Sequence, residues 1–124
     1  MSTSAAYDWA MHDDRVRAHY VRAIERHPYF CDWVEPQDDT SEKAKAKIET
    51  TLAVIRGIIK EGAEKHTLGW DDLLECEMWE VFEALASGDK THAVEELYDC
   101  VAVLLRTIDV LEGRQKLGKP ETNS

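Results

Sequence analysis

Four stretches of this chain repeat apolar residues at intervals of three and four, and the residues that break helices fall between them. Ala5, Trp9, Val16, Tyr20, Ala23 and Ile24 recur at helical spacing, which predicts a first helix over residues 5–27. Pro28 ends it, because proline restricts the residue before it and cannot donate to the helix ladder. The segment "HPYFCDWVEPQDD" then reads as an irregular connection, with Phe30 and Trp33 as its anchors. Thr40 or Ser41 can cap a second helix, with Glu42 in its first turn. Its stripe is Ala44, Ile48, Leu52, Ile55 and Ile59, and Gly62 or Gly69 marks its end. Trp70 leads into a third helix, with Asp71 and Asp72 at the end where the helix dipole favours negative charge. "SGDK" at 87–90 is a turn. A fourth helix starts near Thr91, runs to about Gly113, and is apolar nearly all round, which predicts a central position. The short turn predicts an antiparallel hairpin of helices three and four.

The pattern predicts an all-α fold, a compact helical bundle of about four helices. It divides into an N-terminal helix and connection at 1–40, a helical core at 41–112 and a polar, mobile tail at 113–124. Its 124 residues suffice for one domain with a modest core. Only 3 prolines and 6 glycines interrupt it, mostly near segment ends. A formal net charge of −10 disfavours direct nucleic-acid binding, because the chain repels phosphates. Any phosphorylated ligand needs a divalent cation or a local Lys/Arg cluster. No run of 18 apolar residues predicts a membrane span. The start "MSTSAAYDWAMHDD" lacks a signal pattern. Cys31, Cys76 and Cys100 form no CxxC motif, and the odd number reads as reduced thiols in a cytoplasm.

The acids of helices three and four carry the chemistry. On a helical projection from Glu77, Val81, Leu74, Leu85 and Met78 fall within about 40° to 100° on one side. Ala84 and Leu73 fall about 20° to 40° on the other, so Glu77 lies inside the apolar arc. Glu80 sits at the edge of that arc, Glu75 is solvated, and Glu83 is ambiguous. On helix four, Cys100, Val103, Leu111 and Leu104 flank Glu96 within about 80°, and Asp99 lies about 60° off. Two acid-x-x-acid pairs, Glu77/Glu80 and Glu96/Asp99, thus face a packed surface, and residues three apart share a helix face. Converging carboxylates in a partly dry site repel one another, and a hard divalent cation resolves this. Mg²⁺ or Mn²⁺ takes oxygen ligands, and Mg²⁺ bridges to substrate phosphates. The competing reading is acids at the margin of a core, each paired to Lys or Arg, and Arg106 is the clearest such cation on these helices.

With "EMWE" at 77–80, a spacer of 15 residues and "ELYD" at 96–99, the chain resembles the all-α nucleoside triphosphate pyrophosphohydrolases, the MazG-like superfamily. That family carries E-x-x-E, a spacer, then E-x-x-D. The stretch "GDKTHAVEELYDCVAVLLR" looks like the lead-in to its second motif, and the resemblance covers roughly residues 41 to 111. Two positions depart from the family pattern. Cys76 stands where many members have a second glutamate, and Arg106 stands where many have asparagine. Residues 1–40 have no counterpart.

The resemblance implies metal-dependent hydrolysis of a nucleoside or deoxynucleoside triphosphate to a monophosphate and pyrophosphate. It implies Glu77, Glu80, Glu96 and Asp99 as ligands of Mg²⁺, with Mn²⁺ as an alternative, and a homodimer or homotetramer. Glu80 is the candidate general base. Arg106, Lys90 and Lys60 are candidates to hold phosphate oxygens. Trp70, Trp79, Tyr98 and Phe82 can stack on a base, although aromatic residues at helical spacing are more often core. Two further readings stay open: hydrolysis of phosphoribosyl-ATP, and a helical interaction module without chemistry. The histidines form no E-x-x-H, and no H-E-x-x-H, GxSxG or Gly-rich phosphate loop occurs. "DKTH" at 89–92 reads as a cap region.

Overall fold

The computed structural model of the protein describes residues 9–29 and 42–114. Among them the chain is all-α, with four helices and no strand: α1 (Trp9–Arg26), α2 (Glu42–Lys65), α3 (Trp70–Ala86) and α4 (Lys90–Leu111). The start of the first helix before Trp9, the connection carrying Phe30, Cys31 and Trp33, the cap at Thr40 or Ser41, and the tail beyond 114 lie outside the described residues. No described helix is long and apolar enough to cross a membrane.

The chain divides into two compact units, and the boundary falls inside α4. One unit takes α2, α3 and α4 as far as Thr107. Its core is Leu52, Ile55 and Cys76, with Ile48, Ile59 and Trp79 packed against them. The spacing of three and four in α2 places Ile48, Leu52, Ile55 and Ile59 on one face, and α3 lies against that face. The stripe read from the sequence is thus the packed face of α2. Fully burying a side chain such as Leu52 contributes roughly 1.5–3 kcal/mol.

Helix α2 does not end at Gly62 or Gly69. It runs through Gly62 to Lys65, and His66 then turns the chain with a left-handed φ of 59°. Thr67 N donates to Gly62 O at 2.8 Å to close the turn. Gly62 is needed for a different reason: a Cβ there would lie 3.1 Å from the Leu68 backbone as the chain folds back. The turn at 87–89 behaves as its composition predicts. Gly88 takes a φ of 75°, and Ser87 and Gly88 donate to the last carbonyls of α3. Asp89 Oδ1 accepts from His92 N at 3.0 Å, so "DKTH" is the N-cap of α4.

The expectation that α4 is central fails. Val94, Leu97, Tyr98, Val101 and Leu104 are each more than 40 % exposed. A helix that is apolar all round is buried only where neighbours cover every side, and the described residues do not supply them.

The second unit comprises α1 with the end of α4 and the residues after it. Its polar centre is the buried pair His12 and Asp109, with Nε2 and Oδ1 2.8 Å apart. Arg15 Nη1 donates to both oxygens of Glu112 at 3.0 Å. Arg114 also pairs with Glu112, and its Nη1 lies 3.9 Å from Asp109 Oδ1.

Candidate metal centre

Helix α3 presents Glu77 and helix α4 presents Glu96 and Asp99. One carboxylate oxygen from each lies within 4.8 Å of the other two. Both helices supply small or buried residues beside the acids: Cys76, Val81 and Ala84 on α3, Ala93 and Cys100 on α4. The site is therefore drier than a surface cluster. Burial pushes both thiols up, and the charges of Glu77, Asp99 and Glu96 add to the effect at Cys100.

The acids respond in the same direction. Glu77 is half-buried, and its carboxyl is pushed up to about 7. Burial is the main cause, followed by the charge of Glu80 and a hydrogen bond shared with Glu96. Glu96 is also raised, by burial and then by Glu80, while the bond shared with Glu77 opposes the rise. Burial and the neighbouring charges thus favour the protonated form of both carboxyls. Glu77 Oε2 is sealed from solvent and has no hydrogen-bond partner among the described residues. An oxygen in that position costs about 1–3 kcal/mol in desolvation, more if it is charged.

Three of the four expected carboxylates converge, and the fourth stands beside them. Glu80 raises the carboxyls of Glu77 and Glu96, so it is close enough for its charge to be felt. Its Oε2, however, accepts from Arg56 Nη2 at 2.9 Å. That bond holds the Arg56 guanidinium more firmly protonated, and Glu83 adds to the effect. Glu75 is exposed, as projection from the sequence expects.

The cation that answers these acids comes from α2 and not from α3 or α4. Arg106 is exposed and forms no ion pair among the described residues, and the same holds for Lys60. Lys90 is exposed at the start of α4. Sequence reasoning missed Arg56, whose place four residues beyond Leu52 set it at the edge of the α2 stripe. It also missed His92. The His92 ring lies 3.2 Å from Glu96 Oε1, and the i,i+4 spacing was the available signal.

The aromatic candidates separate. Trp79 packs on the core and meets Phe82 edge to face, with ring centroids 5.2 Å apart. Trp70, Met78 and Phe82 line an open groove rimmed by Asp71, Asp72 and Glu75. Tyr98 is 68 % exposed.

A buried, unpartnered carboxylate oxygen inside an all-oxygen donor set fits a hard divalent cation. Comparison of the chain with models of protein families, with curated proteins and with solved structures finds no match.

Proposed function

We propose that the protein hydrolyses a nucleoside or deoxynucleoside triphosphate to the monophosphate and pyrophosphate, with a divalent cation held by Glu77, Glu96 and Asp99. Mg²⁺ is the first candidate and Mn²⁺ the alternative. The observation that carries this reading is the convergence of three carboxylates, one with a sealed oxygen that no group among the described residues satisfies. The resemblance of "EMWE" and "ELYD" to the MazG-like motifs gives the reaction class.

The chain's own groups divide the work. Glu77, Glu96 and Asp99 would hold the cation as carboxylates, with any Glu77 proton released to solvent, and the ion's charge would offset their mutual repulsion. When bound, the cation neutralises the triphosphate and supplies Lewis acidity and an activated water. Glu80 stands beside the ligands, in reach of their charge, and orients or deprotonates that water. Arg56, anchored by Glu80, is better placed than Arg106 or Lys60 to meet phosphate oxygens, since a guanidinium forks onto them. The exposed apolar residues of α4 favour assembly as a homodimer or homotetramer.

The test is a panel of ribo- and deoxyribonucleoside triphosphates with Mg²⁺, and phosphoribosyl-ATP as a separate arm, read as pyrophosphate release. Turnover of a triphosphate that disappears in Glu77→Gln supports the proposal. Turnover of phosphoribosyl-ATP alone moves the substrate, and no turnover in any arm removes the enzymatic reading.

A further inference from the structure

We propose that Arg56 is a positioning residue of this site: it holds Glu80 out of the cation's ligand set and so reserves that carboxylate for work as a base. This rests on the reading that Glu77, Glu96 and Asp99 hold a divalent cation.

The first argument is a register that the structure leaves incomplete. Glu77 and Glu80 stand at i and i+3 on α3, as Glu96 and Asp99 do on α4, and residues so spaced share a helix face. Both members of the α4 pair send an oxygen into the group within 4.8 Å, but only Glu77 of the α3 pair does. Remoteness is not the reason. After burial, the charge of Glu80 is the strongest influence on the carboxyls of both Glu77 and Glu96. Glu80 is a near neighbour of the three acids that is turned to another partner.

The second argument is what holds it there. Glu80 Oε2 accepts from Arg56 Nη2 at 2.9 Å, and its side chain makes no other hydrogen bond among the described residues. Arg56 follows Ile55 and lies one turn beyond Leu52, two core residues of α2, so the packed face fixes where its side chain departs. The pair thus ties Glu80 to the helix that α3 lies against. The Arg56 side chain is 52 % exposed, and an ion pair that open adds little to stability. Its effect is on direction: it sets which way the Glu80 carboxylate turns.

The third argument is charge and ligand number. Mg²⁺ is usually held by a few carboxylates with waters and substrate phosphates, not by a full protein cage. Four carboxylates on one divalent ion carry twice its charge, and a fourth would occupy a position that a phosphate or water needs. Arg56 neutralises the fourth and leaves it a hydrogen-bond acceptor beside the site, as a general base must be. A guanidinium has further N–H donors beyond the one given to Glu80, so the same side chain can also meet a phosphate.

The experiment uses the full chain with Mn²⁺ as the probe. Calorimetry gives the affinity, and electron–nuclear double resonance counts the waters on the bound ion. Arg56→Gln frees Glu80 to join the ligands, so it should tighten Mn²⁺ binding about tenfold or more and remove a bound water. Loss of a nearby positive charge also favours a cation, so the same change is made in the Glu80→Gln protein. There it should move the affinity by less than about threefold, because the carboxylate it controls is gone. Circular dichroism of the metal-free variants should match wild type, since Arg56 lies outside the core. No tightening in Arg56→Gln, or tightening of equal size with and without the Glu80 carboxylate, overturns the role of Arg56 and leaves the carboxylate site standing. A water count that Arg56→Gln does not change also overturns it. No saturable Mn²⁺ binding by wild type removes the carboxylate site itself, and this role with it.

Discussion

The protein draws carboxylates at least partly out of water in two places and treats them differently. In the unit built on α1, Asp109 is 3 % exposed and sits against His12, while Glu112 takes Arg15 and Arg114. In the unit built on α2 and α3, Glu77 faces two more acids, and its Oε2 has no hydrogen-bond partner among the described residues. Removing a charge from water is costly unless a partner restores the lost interaction. The first region brings its partners within the chain and so serves stability. The second leaves one Glu77 oxygen unsatisfied among the described residues, which destabilises the metal-free protein and leaves room for an ion. Buried acids alone do not distinguish structure from function; the identity of what faces them does.

The sharpest way to break this contrast is Glu77→Gln. Under the proposed function, kcat/KM falls by about 10³-fold or more, equivalent to about 4 kcal/mol. The same variant should not lower the melting temperature of the metal-free protein, because a neutral amide relieves repulsion among the acids. Activity within tenfold of wild type, measured as pyrophosphate release, would show that Glu77 is an ordinary margin acid. The matching change in the other region is Asp109→Ala. It leaves His12 buried without its carboxylate and should cost about 3 kcal/mol of unfolding free energy in urea, with any triphosphate turnover of the folded protein retained. A cost below 1 kcal/mol would mean that the pair does not hold this unit together.

A pH series sharpens the same comparison. The Glu77 carboxyl titrates at about 7 in the folded protein, against an ordinary 4.5. In that window the folded state binds more protons than the unfolded state, so stability falls as pH rises. The contribution is fully present below about pH 4.5 and lost by the time pH passes 7. The loss is on the order of 2 kcal/mol for a half-buried group. Metal-free melting temperatures across this range should decline, and Glu77→Gln should flatten the part of the decline that belongs to this site. Saturating Mg²⁺ or Mn²⁺ should reverse the trend near pH 7, since the ion binds the deprotonated folded form. A decline of equal size in wild type and Glu77→Gln would assign it to other groups.

How much of this was legible in the sequence depends on the range of the interaction. The four helices were visible because their apolar period is local, and Ile48, Leu52, Ile55 and Ile59 pack where their spacing puts them. Glu77 and Glu96 were found by the same projection, since an acid inside an apolar arc is a local anomaly. The end of α2 was misplaced because two glycines looked like stops, while the left-handed residue is His66. Arg56 was missed because it pairs with Glu80 across 24 positions, and no period reports that. His12 and Asp109 are 97 positions apart and equally silent in one dimension. Central burial was wrongly inferred for α4 because periodicity tells which residues want cover, not whether one chain provides it.

The smallest expected effect tests whether burial, and not ion pairing as such, separates the two regions. Arg17 and Asp13 pair at 2.9 Å along α1, and Lys65 and Glu61 at 3.4 Å along α2. Both pairs join residues four apart, and every side chain involved is at least 66 % exposed. Water already solvates these charges, and holding two long side chains together costs entropy, so the net gain is small. Arg17→Ala and Lys65→Ala should each change unfolding free energy by less than about 0.5 kcal/mol, and 1 M salt should remove most of that. The Arg17 pair belongs to the same helix as His12, so the two sit within one unit and differ mainly in exposure. If Arg17→Ala cost as much as Asp109→Ala, opposite charge alone would set the energy, and a half-buried acid with an unsatisfied oxygen, such as Glu77, would lose its meaning as a mark of an ion site.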